Sequence, residues 1–477
     1  MKSLRAWLCL ALLTSFIGMV PLRAVAQETP TATPPEGQTE GQDDQTPPDQ
    51  PKSVEERLDE LDQKVRVLDR KGELDKEAAA EKAKTATSVT SGKDGFSIKS
   101  ADGAYVLKLR GYVQLDGRFW NGDDERPATD TFIVRRARPI LEGTVFKIFD
   151  FRIMPDFGGG TTVLQDAYLD GRFSPVFKVR AGKFKPPVGL ERLQSATDIL
   201  FVERAFPTNL VPNRDLGVQL FGDLAGGAVS YAAGVFNGVP DGANADLDTN
   251  DSKDLAARLF FQPFIAGSGP FKNLGFGVGA STGEQEGTLT APGLPTYRTP
   301  GQQSFFSYRA DGTAAGTALP GGKRTRLSPQ GYFYRGPFGL LAEYVISSQD
   351  VRRGAVSETL DNKSWQTAVS WVLTGGEPSY KGVAPKKPFD PSAHTWGEVE
   401  LVARYSELEV DDAAFPLFAS STSSARSAKA VAAGVNWYLN RSIKLMLDYE
   451  TTQFEGGAAT GDREDENILF SRFQISF

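Results

Sequence analysis

The chain has 477 residues, 53 basic against 60 acidic, a net charge of −7, and a single cysteine and a single histidine. That acidic balance argues against a nucleic-acid partner, and Cys9 alone can close no disulfide within the chain. Past residue 26 no uninterrupted apolar run approaches the roughly 20 residues a membrane helix needs, so spanning by helices is excluded.

Residues 1–26 read as a signal peptide: Lys2 and Arg5, an apolar stretch over 6–20, then Ala24-Val25-Ala26 as a small-residue cleavage site. Its removal takes Lys2, Arg5 and Arg23 with it, moving the net charge from −7 by three units to −10, and also takes Cys9, which rules out a lipid-modified cysteine. Residues 27–52 are rich in Pro, Gln, Thr and acid and lack any apolar seed for a core, which predicts a disordered linker. Over 53–84 a periplasmic coiled-coil segment is expected. Val54, Leu58, Leu61, Val65 and Leu68 recur at spacings of 4, 3, 4 and 3, with Gly72 ending the pattern. A seam of about two heptads is marginal alone. Two readings stand: a trimeric coil, or a solvated, partly helical spacer.

From residue 104 the period changes to two. Between Tyr105 and Phe119 the odd positions are almost all apolar and most even ones polar; Ala137, Pro139, Leu141 and Val145 likewise oppose Arg136, Arg138, Glu142 and Thr144. Only helices and closed barrels satisfy every backbone group in a bilayer, while a soluble sandwich shares the alternation. The last segment decides between them: from Asn467 to Phe477 it is an amphipathic strand ending on an aromatic, the pattern of bacterial outer-membrane barrels. Tight connections at 146–149, 174–175, 224–226, 335–338 and 439–441 are expected to be periplasmic turns. Walking between them predicts an all-β, sixteen-stranded antiparallel barrel over 95–477, its first strand at 104–120 and its last at 465–477. Segment 302–309 resembles a further strand but falls in a long external loop, 283–322. Sixteen strands leave an aqueous lumen.

Several stretches then resemble the phosphate- and polyphosphate-selective porin family. They are Arg135-Arg136-Ala137-Arg138, Phe149-Asp150-Phe151, Gly182 to Glu191 through Lys183-Phe184-Lys185-Pro186-Pro187, Tyr334-Arg335-Gly336-Pro337-Phe338, and Leu373-Thr374-Gly375-Gly376-Glu377-Pro378 through Pro388-Phe389. The resemblance covers residues 95 to 477. It implies a homotrimer in the outer membrane of a Gram-negative bacterium, seated in lipid and lipopolysaccharide. It also implies that the third and fifth external loops and a long seventh periplasmic turn fold inward; 185–213, 283–322 and 374–393 are the segments that correspond.

Passage of anions such as phosphate needs fixed cations in a narrow path. Parity nominates Lys108, Arg110, Arg118, Arg136, Arg138, Lys178, Arg180, Arg324 and Arg326 on the wall, and the third loop adds Lys185, Arg192, Arg204 and Arg214. Acids share these faces, among them Asp116, Glu142, Asp166, Asp170, Glu191, Glu203, Glu398 and Glu400. The family's phosphate pores carry a dense arginine run and a lysine at the constricting loop. Here Arg135, Arg136 and Arg138 match the early arginines, but 253–282 holds only scattered Lys253, Arg258 and Lys272, and the third loop also carries Glu191, Asp198 and Glu203. Anion preference and weakly selective passage across opposed basic and acidic walls therefore both remain open.

No cofactor, metal or catalytic group is expected. The acidic loop 246–254 lacks the glycine and distal glutamate of a calcium hand, Ala257 standing where the glutamate belongs, and fits contact with divalent ions at the lipopolysaccharide surface better. His394, the sole histidine, is predicted at a strand start as a rim residue, not a base. A structural role, tethering the membrane to the cell wall through the N-terminal segment, is compatible with a channel.

Overall fold

The computed structural model describes residues 53–92, 95–121, 128–248 and 250–477; the expected signal peptide and linker lie outside the described residues. Helix α1 (Val54–Thr85) starts on a reciprocal cap, in which the Glu56 N–H donates to Ser53 Oγ at 3.2 Å and the Ser53 N–H to Glu56 Oε2 at 2.9 Å. The apolar pattern stops at Gly72 but the helix does not, because the Glu, Lys and Ala run that follows favours helix by more than one glycine costs. Along α1 the seam is open: Val54, Leu58, Leu61, Val65 and Leu68 are each more than half exposed.

Sixteen strands form one closed antiparallel barrel, each hydrogen-bonded to its sequence neighbour. They are β1 (Val106–Trp120), β2 (Thr131–Val145), β3 (Phe149–Asp156), β4 (Val163–Ser174), β5 (Phe177–Phe184), β6 (Asp215–Leu224), β7 (Val229–Phe236) and β8 (Asp254–Phe261), followed by β9 (Asn273–Glu286), β10 (Leu319–Arg335), β11 (Phe338–Arg353), β12 (Val356–Val372), β13 (Glu398–Glu409), β14 (Ala425–Tyr438), β15 (Ile443–Ala458) and β16 (Glu466–Ser476). The barrel closes where β16 pairs β1, from Ile468 opposite Trp120 to Ser476 opposite Tyr112. A hairpin of Ser88–Gly92 and Gly95–Lys99 lies below that seam, its second strand pairing the start of β1 from Phe96 opposite Leu109 to Lys99 opposite Val106. His394 sits in the turn before β13 with φ +52°, not at a strand start.

Period-two alternation sets the two faces. On β1, Leu109 and Leu115 are 48% and 44% exposed on the outside, while Gln114 and Asp116 between and beyond them are 0% and 2% exposed inside. Aromatic pairs ring the end that carries Phe477, among them Phe173 with Phe177, Phe338 with Trp371, and Phe389 with Trp437, as expected where a barrel meets a headgroup layer.

The lumen is only partly aqueous. The connection 287–318 folds inward as a small sheet of Thr296–Arg298 and Ser304–Ser307, the second lying inside the segment assigned from sequence to a loop. Tyr297, Phe305 and Phe306 are buried there against Phe206 and Phe418. Aromatic packing thus fills one side of the barrel and confines any water path to the other.

Candidate functional site

The long connection between β5 and β6, 185–214, is the third at the end away from Phe477; it crosses the lumen and has two unlike sides. Its back is hydrogen-bonded to eight consecutive strands, β10 to β16 and β1. Glu343 on β11 accepts the N–H groups of Leu190 and Glu191 at 2.8 and 3.1 Å. Asp448 on β15 accepts the N–H of Val202 at 2.6 Å, and Lys444 donates to Ile199 O at 2.9 Å. Gln330, Gln366, Arg404, Asn436, Gln474 and Gln114 donate to Val188 O, Glu191 Oε2, Glu203 O, Leu200 O, Thr197 O and Ala196 O. Glu203 is the keystone, lying 2.8 Å from Arg118, 2.5 Å from Arg135, 3.4 Å from Arg136 and 3.9 Å from Arg472. Burial raises the Glu203 carboxyl, but these four guanidiniums outweigh it and hold the group well below its usual range. Of the loop's three acids, Glu191 is turned to the back wall and Glu203 is enclosed by the four guanidiniums of Arg118, Arg135, Arg136 and Arg472.

The front faces a cavity of about 1070 Å³ bounded by β1 to β5. Twelve cations and three aspartates line it. From the wall come Arg110, Arg135, Arg136, Arg138, Arg152 and Arg180; from the loop Lys185, Arg192, Arg204 and Arg214; from the turns 373–397 and 439–442 Lys381 and Arg441. The aspartates are Asp156, Asp166 and Asp198. Several of these cations are paired: Arg138 with Asp156 at 2.7 Å, Arg180 with Asp170 at 2.7 Å, Arg110 with Glu142 at 3.3 Å, Arg152 with Asp166 at 3.4 Å, Arg135 and Arg136 with Glu203, and the loop's Arg214 with Asp166 at 3.1 Å.

Three of the loop's own cations differ. Lys185 Nζ donates to Leu193 O and Gln194 O at 3.2 and 2.8 Å; Arg204 donates to Glu191 O and Gln194 O at 3.1 and 2.8 Å; Arg192 donates to Thr208 O. Backbone carbonyls fix these groups in place without cancelling their charge, and among the described residues none of the three has a carboxylate within ion-pair distance. Burial, and then repulsion from Arg214 and Arg204, push the Lys185 ammonium well below its usual range. Such a site gains from any anion that enters it.

Eight of the thirteen cations nominated from sequence line the cavity: Arg110, Arg136, Arg138, Arg180, Lys185, Arg192, Arg204 and Arg214. Five do not. Arg118 is consumed by Glu203; Arg324 and Arg326 face inward but are buried on Asp254 and Asp241 beneath the connection 237–253; Lys178 pairs with Asp223 at 2.9 Å; and Lys108 lies low on β1, opposite Glu142 and beside the hairpin. Parity placed the buried ones on the correct face, but inward-folded connections occupy the lumen in front of them. Arg135, Arg152, Lys381 and Arg441 were not nominated. Arg135 sits at a register shift, where Gln114 opposes Arg136 and Leu115 opposes Val134, so the extra residue joins Arg136 on the inner side. Turn residues such as Lys381 and Arg441 have no parity to read.

The long turn at the Phe477 end, 373–397, also reaches inward, where Tyr380 Oη donates to Leu190 O at 2.6 Å. It is the sixth turn between barrel strands, and the seventh when the connection 100–105 ahead of β1 is counted.

A family described as phosphate-selective porin O and P matches residues 107–477. Porin O of Pseudomonas aeruginosa is 25% identical over 413 residues, covering 81% of this chain and 91% of that protein. Among solved structures, OmpT of Vibrio cholerae shares 10% identity with a TM-score of 0.51, over 78% of this chain and 98% of its own. The outer-membrane channel DcaP of Acinetobacter baumannii shares 12% identity with a TM-score of 0.51, over 80% of this chain and 99% of its own.

Proposed function

Because the chain belongs to the phosphate-selective porin O and P family, and is thus an outer-membrane channel and not an enzyme, we propose that it passes small anions, phosphate foremost, along the front of the third loop. The observation that carries this reading is that both walls of the constriction are basic. Arg138, Arg152 and Arg214 stand on or beside the strand wall and face Lys185, Arg192 and Arg204 on the loop, while Glu191 is spent on the far side and Glu203 is enclosed by Arg118, Arg135, Arg136 and Arg472. A weakly selective eyelet needs the opposite arrangement, loop acids facing wall bases across the opening. Guanidiniums also suit a phosphate, offering paired N–H donors in the spacing of two oxygens, and the family and Porin O carry phosphate or porin in their descriptions. The pathway comprises the eight nominated cations that line the cavity, together with Arg135, Arg152, Lys381 and Arg441. The test is the reversal potential of single channels in planar bilayers under a potassium chloride gradient, repeated with added phosphate. An anion-directed potential with phosphate blocking the chloride current is expected. A near-zero or cation-directed potential without block would leave a general porin on the same scaffold.

The open seam of α1 supports a second part of the reading, in which the helix lies in the periplasm and three copies bundle below a trimeric barrel. Five apolar residues more than half exposed along one helix are costly in a lone chain and are covered by two partners. The outward apolar face contacts lipid, the acidic loop 246–254 meets lipopolysaccharide through divalent ions, and the N-terminal segment reaches toward the cell wall. Deleting residues 27–90 separates these roles: a tether predicts envelope detachment with unchanged conductance, and a trimer clamp predicts a less heat-resistant oligomer.

A further inference from the structure

We infer that Tyr380, on the turn 373–397, is a positioning residue that sets the anion selectivity of the constriction from the opposite end of the barrel. The inference rests on the anion-channel reading above and names a residue outside the third loop that controls it.

The tip of the turn is the tight bend Ser379-Tyr380-Lys381-Gly382, in which the Gly382 N–H donates to Ser379 O at 2.9 Å and the Ser379 hydroxyl to Gly382 O at 2.8 Å. Gly382 has φ +80°, the left-handed conformation that closes such a bend without side-chain strain. Its base is rigid too, since the buried Glu398 accepts the N–H groups of Gly376 and Lys386 and the Thr374 hydroxyl. The bend presents neighbouring side chains to different tasks. Lys381 lines the cavity, while the Tyr380 ring stacks on Tyr332 of the back wall with centroids 5.2 Å apart and planes at 21°.

Tyr380 grips both ends of one helical turn of the third loop, Leu190–Leu193. Its hydroxyl donates to Leu190 O at 2.6 Å, and its own carbonyl accepts the Gln194 side-chain amide at 2.7 Å. The carbonyls between those two points, of Glu191, Leu193 and Gln194, are the ones that hold Lys185 and Arg204 in the cavity. Arg192 projects from the same turn. Three unneutralised cations thus take their positions from a five-residue segment clamped at each end by Tyr380. Amides, cations and carboxylates of the wall fix the rest of the loop's back, but on this turn Glu343 reaches only the N–H groups of Leu190 and Glu191 and leaves the Leu190 carbonyl to the tyrosine.

The experiment compares the unmodified channel with Tyr380→Phe and Tyr334→Phe in planar bilayers. The first variant removes only the clamping hydroxyl and keeps the stacked ring. The second removes a hydroxyl from a ring 5.3 Å from Tyr332 that makes no hydrogen bond to the third loop among the described residues. One hydrogen bond of this kind is worth about three- to tenfold. Tyr380→Phe should raise the half-blocking phosphate concentration about three- to tenfold and move the reversal potential toward zero. Conductance in molar KCl, where charge is screened beyond about 3 Å and pore width dominates, should not change. Tyr334→Phe should match the unmodified channel throughout. The inference is overturned if Tyr380→Phe leaves block and potential unmoved, if Tyr334→Phe has the same effect, or if selectivity falls only together with a rise in molar-salt conductance, which means the tyrosine merely keeps the loop in the lumen. A cation-directed potential in the unmodified channel defeats the anion reading instead, and the clamp is still judged by whether Tyr380→Phe shifts that potential.

Discussion

The two sides of the third loop carry buried arginine and lysine in comparable number, yet they do opposite things. Behind the loop, Arg118, Arg404 and Arg472 lie within 2.9 Å of Glu203, Glu450 and Asp116, and their charge is consumed in fastening the loop to the wall. In front, among the described residues, Lys185, Arg192 and Arg204 are held by peptide carbonyls alone, which orient a cation without neutralising it. A loop cation held only by dipoles keeps its full charge for a ligand, whereas one that shares a carboxylate has part of that charge spent on the contact. Counting basic residues on a lumenal face does not separate the two.

The contrast breaks most visibly at Glu203. Glu203→Gln leaves the four guanidiniums around it without their shared carboxylate, and removal of one partner from a buried ion pair costs about 3–5 kcal/mol. A lowered unfolding midpoint in detergent and a noisier, larger conductance are expected; an unshifted midpoint would mean that the back of the loop does not depend on its charges. Arg204→Ala acts on the other side. It should raise the half-blocking phosphate concentration about tenfold, equivalent to ~1.4 kcal/mol, while the unfolding midpoint falls less than in Glu203→Gln, since no ion pair among the described residues is broken.

A pH titration sharpens the distinction further. Burial and the neighbouring Arg214 and Arg204 lower Lys185, so it is charged below its lowered pKa and neutral above it. Raising the pH through that point removes one positive charge from the front wall. Anion selectivity should therefore fall at a pH below the roughly 10.4 of an ordinary lysine, and Lys185→Arg should flatten the profile. The smallest effect on conduction is expected far from both sides of the loop. Leu61→Asp in α1 should reduce the heat resistance of the oligomer and leave single-channel conductance and block unchanged; altered conductance would show that the helix bears on the pore.

The barrel was legible because a strand between lipid and water writes its two faces into alternate residues. Leu109 and Leu115 against Gln114 and Asp116 already state which way β1 faces, and tight turns such as Gly336-Pro337 mark where it and its neighbours reverse. Inside the lumen that rule weakens. Arg324 and Arg326 face inward as parity requires, but whether they meet water depends on where the connection 237–253 folds, and no period records that. Glu191 and Glu203 read in sequence as acids diluting a basic loop, and only the fold shows Glu191 turned to the back wall and Glu203 spent among four guanidiniums. Arg135, marked by its place in the family's arginine run, escaped strand parity through a single extra residue, and Tyr380 lies in a turn whose distant partner is a peptide carbonyl.

The hairpin beneath the barrel seam bears on how the cylinder is assembled. β16 ends opposite Tyr112, Phe477 exchanges backbone bonds with Gly111 at 2.9 Å each way, and directly beyond it Phe96 to Lys99 already occupy the edge of β1 from Leu109 to Val106. The approach is close enough that a side chain at Gly95 would lie 2.3 Å from Leu109 O. A final strand arriving to seal the wall therefore meets a doorstop. Slipping one residue too far would turn Phe470 and Phe473 to the wrong faces and also run Phe477 into a site that is already taken. The short N-terminal flap thus occupies the edge of β1 up to the end of β16 and leaves that strand one alignment in which to pair.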